Sequence, residues 1–294
     1  MYRFLKLVFI CVVVLFLGNV VVYLLIGKSD TSRFNNYYNT VLKAENRHYK
    51  VVITGDSHAN DCWRNFKSDS VLDLSFPGDN YLDVKKKLEF LKINNISYDN
   101  HLFEVDPQMF SSYREFTNNN DLSSSLSNAR FSVALRKYLP LFFNPRLIED
   151  CKNSIQGNKI TDDLIIKPID TSKIETRAQN QFISRKYSQK MMEEFLVSYN
   201  LVKESGAANT LINYPFYEQY LNKIDSTDCY STIYKTRENF ILSSKANFFN
   251  LEKALCDPNN FFNQDHVNQN GAQIIIPRIL NEIERSKTFE VCID

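Results

Sequence analysis

Glycine and proline are scarce in this chain, with 7 and 8 among 294 residues, which excludes a collagen-like or proline-rich architecture. The chain also lacks an excess of charge of one sign, because it has 35 basic and 34 acidic side chains. Without a basic excess, binding driven by phosphate neutralisation is disfavoured, and we predict that the protein binds no nucleic acid. The spacing of the 6 cysteines matches no zinc pattern, so we expect neither a metal nor a cofactor.

Apolar residues are plentiful but unevenly spread. Residues 7–27 form a run of 21 without a charged side chain, which as a helix would span about 30 Å, the thickness of the bilayer core. We predict that residues 1–6 are a short tail and residues 7–27 a transmembrane helix. A cleaved signal peptide is the alternative, but no small-x-small site follows the run. Arg3 and Lys6 precede the run, which favours an inside N-terminus and an extracytoplasmic domain, in a bacterial periplasm or at the cell surface.

Beyond a stalk at residues 28–49, short apolar runs alternate with helical patterns. This alternation predicts an α/β domain with a parallel sheet over residues 50–286, followed by a tail at 287–294. A long irregular segment at about 108–186 is too long for a plain loop and predicts an inserted cap. The basic run Lys85–Lys87 indicates a solvated helix face. The predicted strands cover residues 49–54, 71–76, 101–105, 209–213 and 246–251.

Ser57 directly follows the first predicted strand, in the sequence Gly-Asp-Ser-His at 55–58, and a helix follows. A helix N-terminus presents unpaired N–H groups and a partial positive charge, which suit an oxyanion. Ser57 is therefore a candidate nucleophile. The alternative is that its hydroxyl only caps the helix.

His266 is the candidate base for this serine. It lies in a polar loop after the last predicted strand and before the final helix, so it should share the sheet edge with Ser57. A serine needs a base within hydrogen-bond reach to become a nucleophile. The other histidines are less suitable: His48 lies in the stalk, His101 opens a strand at the wrong end, and His58 should line the mouth of the site.

The two motifs together resemble the SGNH/GDSL hydrolase superfamily. Gly-Asp-Ser-His-Ala at 55–59 and Asp-His-Val-Asn-Gln-Asn-Gly-Ala at 265–272 carry the resemblance. The most similar versions are the SGNH domains of membrane-associated polysaccharide O-acetyltransferases, and the resemblance covers most of residues 50–285. It implies a flavodoxin-like three-layer sandwich, in which a serine attacks an ester and a histidine activates the serine.

The same resemblance implies an oxyanion hole. Its donors would be the backbone N–H groups of Ser57 and Gly78 and an asparagine after the third strand. No asparagine stands at that position, where Gln108 is the substitute that the sequence offers.

The third member of a triad is the open point of the site. The family's acid lies three residues before the histidine, and Asn263 stands there, while Asp265 lies one residue before His266. We predict that Asn263 orients His266 and that Asp265 faces solvent or caps the final helix. A shifted loop that brings Asp265 onto the histidine, and a Ser-His dyad, are the alternatives.

These observations predict a membrane-anchored serine esterase or O-acyltransferase, with acetyl as the expected acyl group and cell-surface or extracytoplasmic glycan as the substrate. His58, Asn80 and Tyr214 are the candidate substrate-binding residues. A transferase would also need an acyl donor, which a membrane partner could supply. The alternative is a catalytically degenerate member that binds glycan or an assembly partner, since the usual acid and asparagine are both missing.

Overall fold

The structure, a computed structural model, describes most of the chain: residues 1–27, 33–44, 47–119 and 169–289, with a few positions between 123 and 139. Most of the predicted cap and the start of the predicted stalk lie outside the described residues. The chain divides into two compact units, residues 1–44 with 128–162 and residues 45–127 with 163–294.

The first unit includes the helices α1 (Tyr2–Gly27) and α2 (Arg33–Lys43). The segment Tyr2–Leu24 of α1 has a mean hydropathy of 2.9 and is long and apolar enough to cross a membrane, although a signal sequence would look the same. Most of its side chains are exposed to solvent. Its polar residue Asn19 is the exception, because it is buried and its amide donates to the Tyr138 carbonyl at 2.7 Å.

The second unit is built on a five-stranded sheet whose order is β2-β1-β3-β4-β5, with every neighbouring pair parallel. This is the flavodoxin-like order, and it confirms the predicted α/β fold. The strands are β1 (His48–Thr54), β2 (Val71–Asp73), β3 (Ser97–Glu104), β4 (Ala208–Asn213) and β5 (Asn247–Asn250).

Helices cover both faces of the sheet. On one face α10 packs against α3, and on the other α7 packs against α4. Among the described residues of this unit, the α-helices are α3 (Ser57–Trp63), α4 (Tyr81–Ile93), α5 (Tyr113–Phe116), α6 (Ser172–Ala178), α7 (Gln189–Glu204), α8 (Glu218–Asp225), α9 (Asp228–Ser244) and α10 (Gln269–Phe289).

The core lies on the two faces of the central strands, which is why their apolar runs are continuous rather than alternating. Leu102 packs into an aliphatic cluster that includes Ile275 and Ile279 of α10. Its neighbour Phe103 points to the other face, where its ring lies 5.2 Å from that of Phe195 on α7. All of these side chains are buried.

Some predicted boundaries and surfaces were wrong. β3 begins at Ser97 rather than at residue 101, so His101 lies buried inside the strand, and α10 extends to Phe289 rather than ending at 286. Lys87 is fully buried instead of solvated, and its ammonium group bonds the Asp79 carboxylate and the Leu74 carbonyl. The reason is helical periodicity, because position 87 lies three residues after Val84 on the inner face of α4.

Candidate active site

Ser57 is the first residue of α3 and is separated from the end of β1 by two residues. The N-cap of this helix is Asp56, whose Oδ1 accepts from the His58 N–H at 2.7 Å. The reading of Ser57 as the helix cap is therefore wrong. Position 55 needs a glycine because neighbouring side chains lie very close to its backbone. An added Cβ would overlap the Glu104 carboxyl group and lie 2.9 Å from Ala59 Cβ.

His266 reaches Ser57 across 209 residues of sequence, with 2.7 Å between Nε2 and the serine Oγ. The histidine is 4% exposed and the serine is half-buried. A tight turn presents the imidazole: Phe261 pairs antiparallel with Val267, and the Phe262 N–H donates to the His266 carbonyl at 2.8 Å. The predicted nucleophile and base thus lie within hydrogen-bond distance of each other.

Two oxygens approach the other ring nitrogen of His266. Asn263 Oδ1 and Asp265 Oδ1 each lie 2.8 Å from Nδ1. Asn263 Oδ1 also accepts from the backbone N–H groups of residues 265 and 266, at 3.1 Å each, so it closes the turn as well. The expectation that Asp265 faces solvent or caps α10 was wrong, because this turn directs its side chain inward, where it is buried beside the imidazole.

Asp265 has a second set of contacts through its other oxygen. Arg177 on α6 donates from Nε to Asp265 Oδ2 at 2.6 Å, and Gln181 donates to the same oxygen at 3.3 Å. Burial alone would raise the pKa of Asp265, but the charges of Arg177 and His266 outweigh it and hold the pKa well below its usual range. Asp265 is therefore a carboxylate at any pH at which the protein would work. Sequence reasoning missed Arg177 and Gln181, because no motif marks this segment.

The pKa of His266 is lowered from its ordinary value. Burial is the largest cause, and the positive charges of His58 and Arg177 add to it, against the opposing effect of Asp265. A lowered pKa keeps the imidazole neutral near pH 7, which is the state that accepts a proton from a serine hydroxyl.

The three predicted oxyanion donors, Ser57, Gly78 and Gln108, have different surroundings. Ser57 begins α3, so no helical carbonyl accepts its N–H. Gly78 adopts φ +87°, a left-handed conformation that favours glycine, and its N–H donates to no backbone carbonyl among the described residues. Gln108 does not contact Ser57, because its amide faces the buried groups of His58, Glu104 and Asp106.

Asn119, which sequence reasoning missed, braces the turn that contains Gly78. Its Nδ2 donates to the Pro77 carbonyl at 2.9 Å and to Asp79 Oδ1 at 2.8 Å. Both hydrogens of the amide are thereby used within the turn. The residue supports the position of Gly78 and does not supply the oxyanion asparagine that was expected after the third strand.

The three predicted substrate-binding residues are all buried and have structural partners. Asn80 caps α4, with its Oδ1 accepting from the backbone of that helix, and it donates to the Arg114 carbonyl at 2.9 Å. Tyr214 accepts a hydrogen bond from Trp63 Nε1 at 2.9 Å. His58 lies below the site rather than at its mouth. The predicted position of His58 at the mouth is wrong, because its ring lies between the buried carboxyl groups of Asp106 and Asp265.

Two groups of side chains have the donor types of a metal site. One group is His58 with Asp265 and His266, and the other is Asp56 with His58 and Glu104. In each group the possible ligand atoms lie within 4.8 Å of one another. Hydrogen bonds already explain both arrangements, since His266 Nε2 faces Ser57 and His58 N–H donates to Asp56. Two of the carboxylates also have arginine partners: Arg177 forms an ion pair with Asp265, and Arg114 forms one with Asp56.

The chain was compared with protein families, curated proteins and solved structures. No family model matches the chain, and no curated protein matches it. A proposed acylhydrolase from Bacteroides fragilis is similar in structure, with 11% identity, a TM-score of 0.47 and coverage of 88% of this chain and 97% of that one. A GDSL-like lipase from Bacteroides thetaiotaomicron has 14% identity, a TM-score of 0.45 and coverage of 86% and 100%.

Proposed function

We propose that the protein is a serine-dependent ester hydrolase or acyltransferase. One observation carries this proposal: Ser57 Oγ lies 2.7 Å from His266 Nε2, while a buried carboxylate, Asp265, lies 2.8 Å from Nδ1 of the same ring. A nucleophile, a base and an acid in this order form the arrangement of a Ser-His-Asp triad, which is recognised by geometry and not by sequence position. The presence of Asp265 also removes one reason for regarding the protein as catalytically degenerate.

The chemistry follows from these contacts. His266 Nε2 takes the proton of Ser57 as Oγ attacks the acyl carbonyl, and it returns that proton to the departing alcohol. Asp265 stabilises the imidazolium formed between these steps. The N–H groups of Ser57 and Gly78 would bind the oxyanion. The acyl group is then transferred from Ser57 to water, which gives an esterase, or to a sugar hydroxyl, which gives a transferase.

The proposed substrate is an O-acetylated glycan outside the cytoplasm. Support comes from the apolar helix Tyr2–Leu24, which fits a membrane anchor, and from the resemblance of the two sequence motifs to SGNH domains that acetylate polysaccharides. In a transferase, a membrane partner would supply the acetyl donor.

Fluorophosphonate labelling of the full chain tests this function. The probe reacts with serines that an adjacent base activates, so we expect the wild type to be labelled and Ser57→Ala to remain unlabelled. Ser184→Ala, which removes an exposed serine, is the matched control and should label like the wild type. Equal labelling of Ser57→Ala and the wild type would contradict the proposal.

Deletion of residues 1–27 tests the membrane anchor. We expect the wild type to partition with membranes and the truncated chain to be soluble, folded and still labelled, because the deleted helix exposes its apolar side chains instead of packing them in a core. Circular dichroism and fractionation are the measurements. A truncated chain that aggregates with native-like secondary structure would show that the helix covers an apolar surface of the protein.

A further inference from the structure

His58 is the second histidine of the site, and its ring lies between two carboxylates. Nδ1 is 2.5 Å from Asp106 Oδ2, and Nε2 is 3.4 Å from Asp265 Oδ2. The side chain is 1% exposed, and both carboxyl groups are buried as well. The imidazole therefore joins the polar end of β3 to the loop that carries His266.

The two carboxylate neighbours favour a charge on His58. A neutral ring has a single N–H and could donate to only one of its two carboxylate neighbours, while its other nitrogen would face a carboxylate oxygen with lone pairs on both atoms. Burial by itself lowers the pKa of His58, but the hydrogen bonds to Asp106 and Asp265 outweigh it and raise the pKa to about 10. As an imidazolium the ring donates to Asp106 and forms an ion pair with Asp265 at 3.4 Å.

The surroundings of the ring agree with this charge. The residue before its own helix is Asp56, whose Oδ1 accepts from the backbone N–H of His58. The end of β3 contributes acidic groups and an amide, the loop that carries His266 contributes a carboxylate and an imidazole, and the segment after β4 contributes an aromatic edge. These groups are Asp56, Glu104, Asp106, Gln108, Asp265, His266 and Phe216. Arg114 and Arg177 already pair with Asp56 and Asp265, and burial raises the pKa of Glu104 well above its usual range. Asp106 is the carboxyl group of this cluster that has His58 as its ionic partner.

We propose that His58 is a positioning residue of the triad: as an imidazolium bound to Asp106, it holds the Asp265 carboxylate against His266 Nδ1. The proposal rests on the proposed function for its effect on catalysis. Arg177 holds the same Asp265 oxygen at 2.6 Å, so the carboxylate is fixed from two sides. The other carboxylate oxygen, Oδ1, lies 2.8 Å from His266 Nδ1.

The charge of His58 also acts directly on the base. The two imidazole rings meet edge to face with their centroids 4.5 Å apart. A fixed positive charge at this distance opposes a second one on His266, so it favours the neutral base in the resting enzyme. During the reaction the carboxylate between the two rings compensates for the charge that His266 gains.

The charge state is measured by nitrogen NMR of the full chain, labelled with ¹⁵N-histidine and solubilised in detergent. We expect one histidine to keep both ring nitrogens protonated at pH 8.5, two units above the ordinary value for histidine. This measurement uses the wild type, so it does not depend on the folding of a variant or on any enzymatic activity. A spectrum in which no imidazolium persists at pH 8.5 would overturn the proposal.

The positioning role is measured by a double-mutant cycle. His58→Gln should lower kcat at least about tenfold and change KM less than twofold, because the acid is displaced while the substrate contacts remain. In an Asp265→Asn background the same substitution should cost nothing further, since its target is already neutral. His101→Gln, at a buried histidine inside β3, is the matched control and should keep the wild-type kcat.

An equal loss from His58→Gln in both backgrounds would overturn the positioning role, because it would mean that His58 acts independently of Asp265. If the wild type shows no ester turnover, the proposed function fails, and the NMR result still decides the charge of His58. The two proposals are therefore separable.

Discussion

Replacement of Ser57 by alanine is expected to abolish ester turnover and leave the fold intact. Loss of the nucleophile costs about 10⁶-fold in kcat in serine hydrolases of the triad type. The cost in stability should be small, because Asp56 and not Ser57 caps α3. We expect the free energy of unfolding to change by less than the roughly 0.5–2 kcal/mol of a lost helix cap.

Hydrolysis of p-nitrophenyl acetate and thermal unfolding of the same preparations measure the two quantities. Ser184→Ala is again the matched control, with turnover and unfolding expected to equal those of the wild type. Unchanged turnover in Ser57→Ala would remove this serine from the mechanism, whatever its effect on stability.

Asp265→Asn is expected to have the second largest effect, a fall of about 10⁴-fold in kcat, as for the loss of the triad acid in serine proteases. The substitution keeps the size of the side chain and removes its charge. The asparagine can still contact His266, but it cannot stabilise the imidazolium, and it can hold the ring in the wrong tautomer. Kinetics with an acetyl ester, together with labelling of Ser57, measure this loss.

Asn263→Ala is the informative comparison for Asp265. Asn263 Oδ1 also lies 2.8 Å from His266 Nδ1, but it carries no charge and accepts two backbone N–H groups of the turn. Its removal should therefore cost much less in kcat than Asp265→Asn and should affect mainly the stability of the turn. A larger loss of kcat in Asn263→Ala than in Asp265→Asn would show that Asn263, and not Asp265, orients His266.

The sequence was informative where a local pattern has one physical meaning. The apolar runs of β1 and β4 could be recognised as buried strands because both faces of a parallel sheet are covered, and Ser57 and His266 could be paired because the carboxyl ends of parallel strands share one edge. The burial of the polar side chains at that edge could not be predicted from such a local pattern. His58, Asn80 and Tyr214 follow or precede strand ends as exposed site residues do, yet all three are buried.

By itself, the sequence determined the apolar N-terminal segment, the parallel α/β fold and the two residues that meet at its edge, because periodicity and strand polarity are properties of the local chain. Only the tertiary structure decided which oxygen faces His266, since the turn between Phe261 and Val267 sets the direction of Asp265, and Arg177 lies on a distant helix. It also decided that His58 lies between two carboxylates. Such contacts join residues far apart in the chain, and charge balance in a buried cluster depends on all of them together.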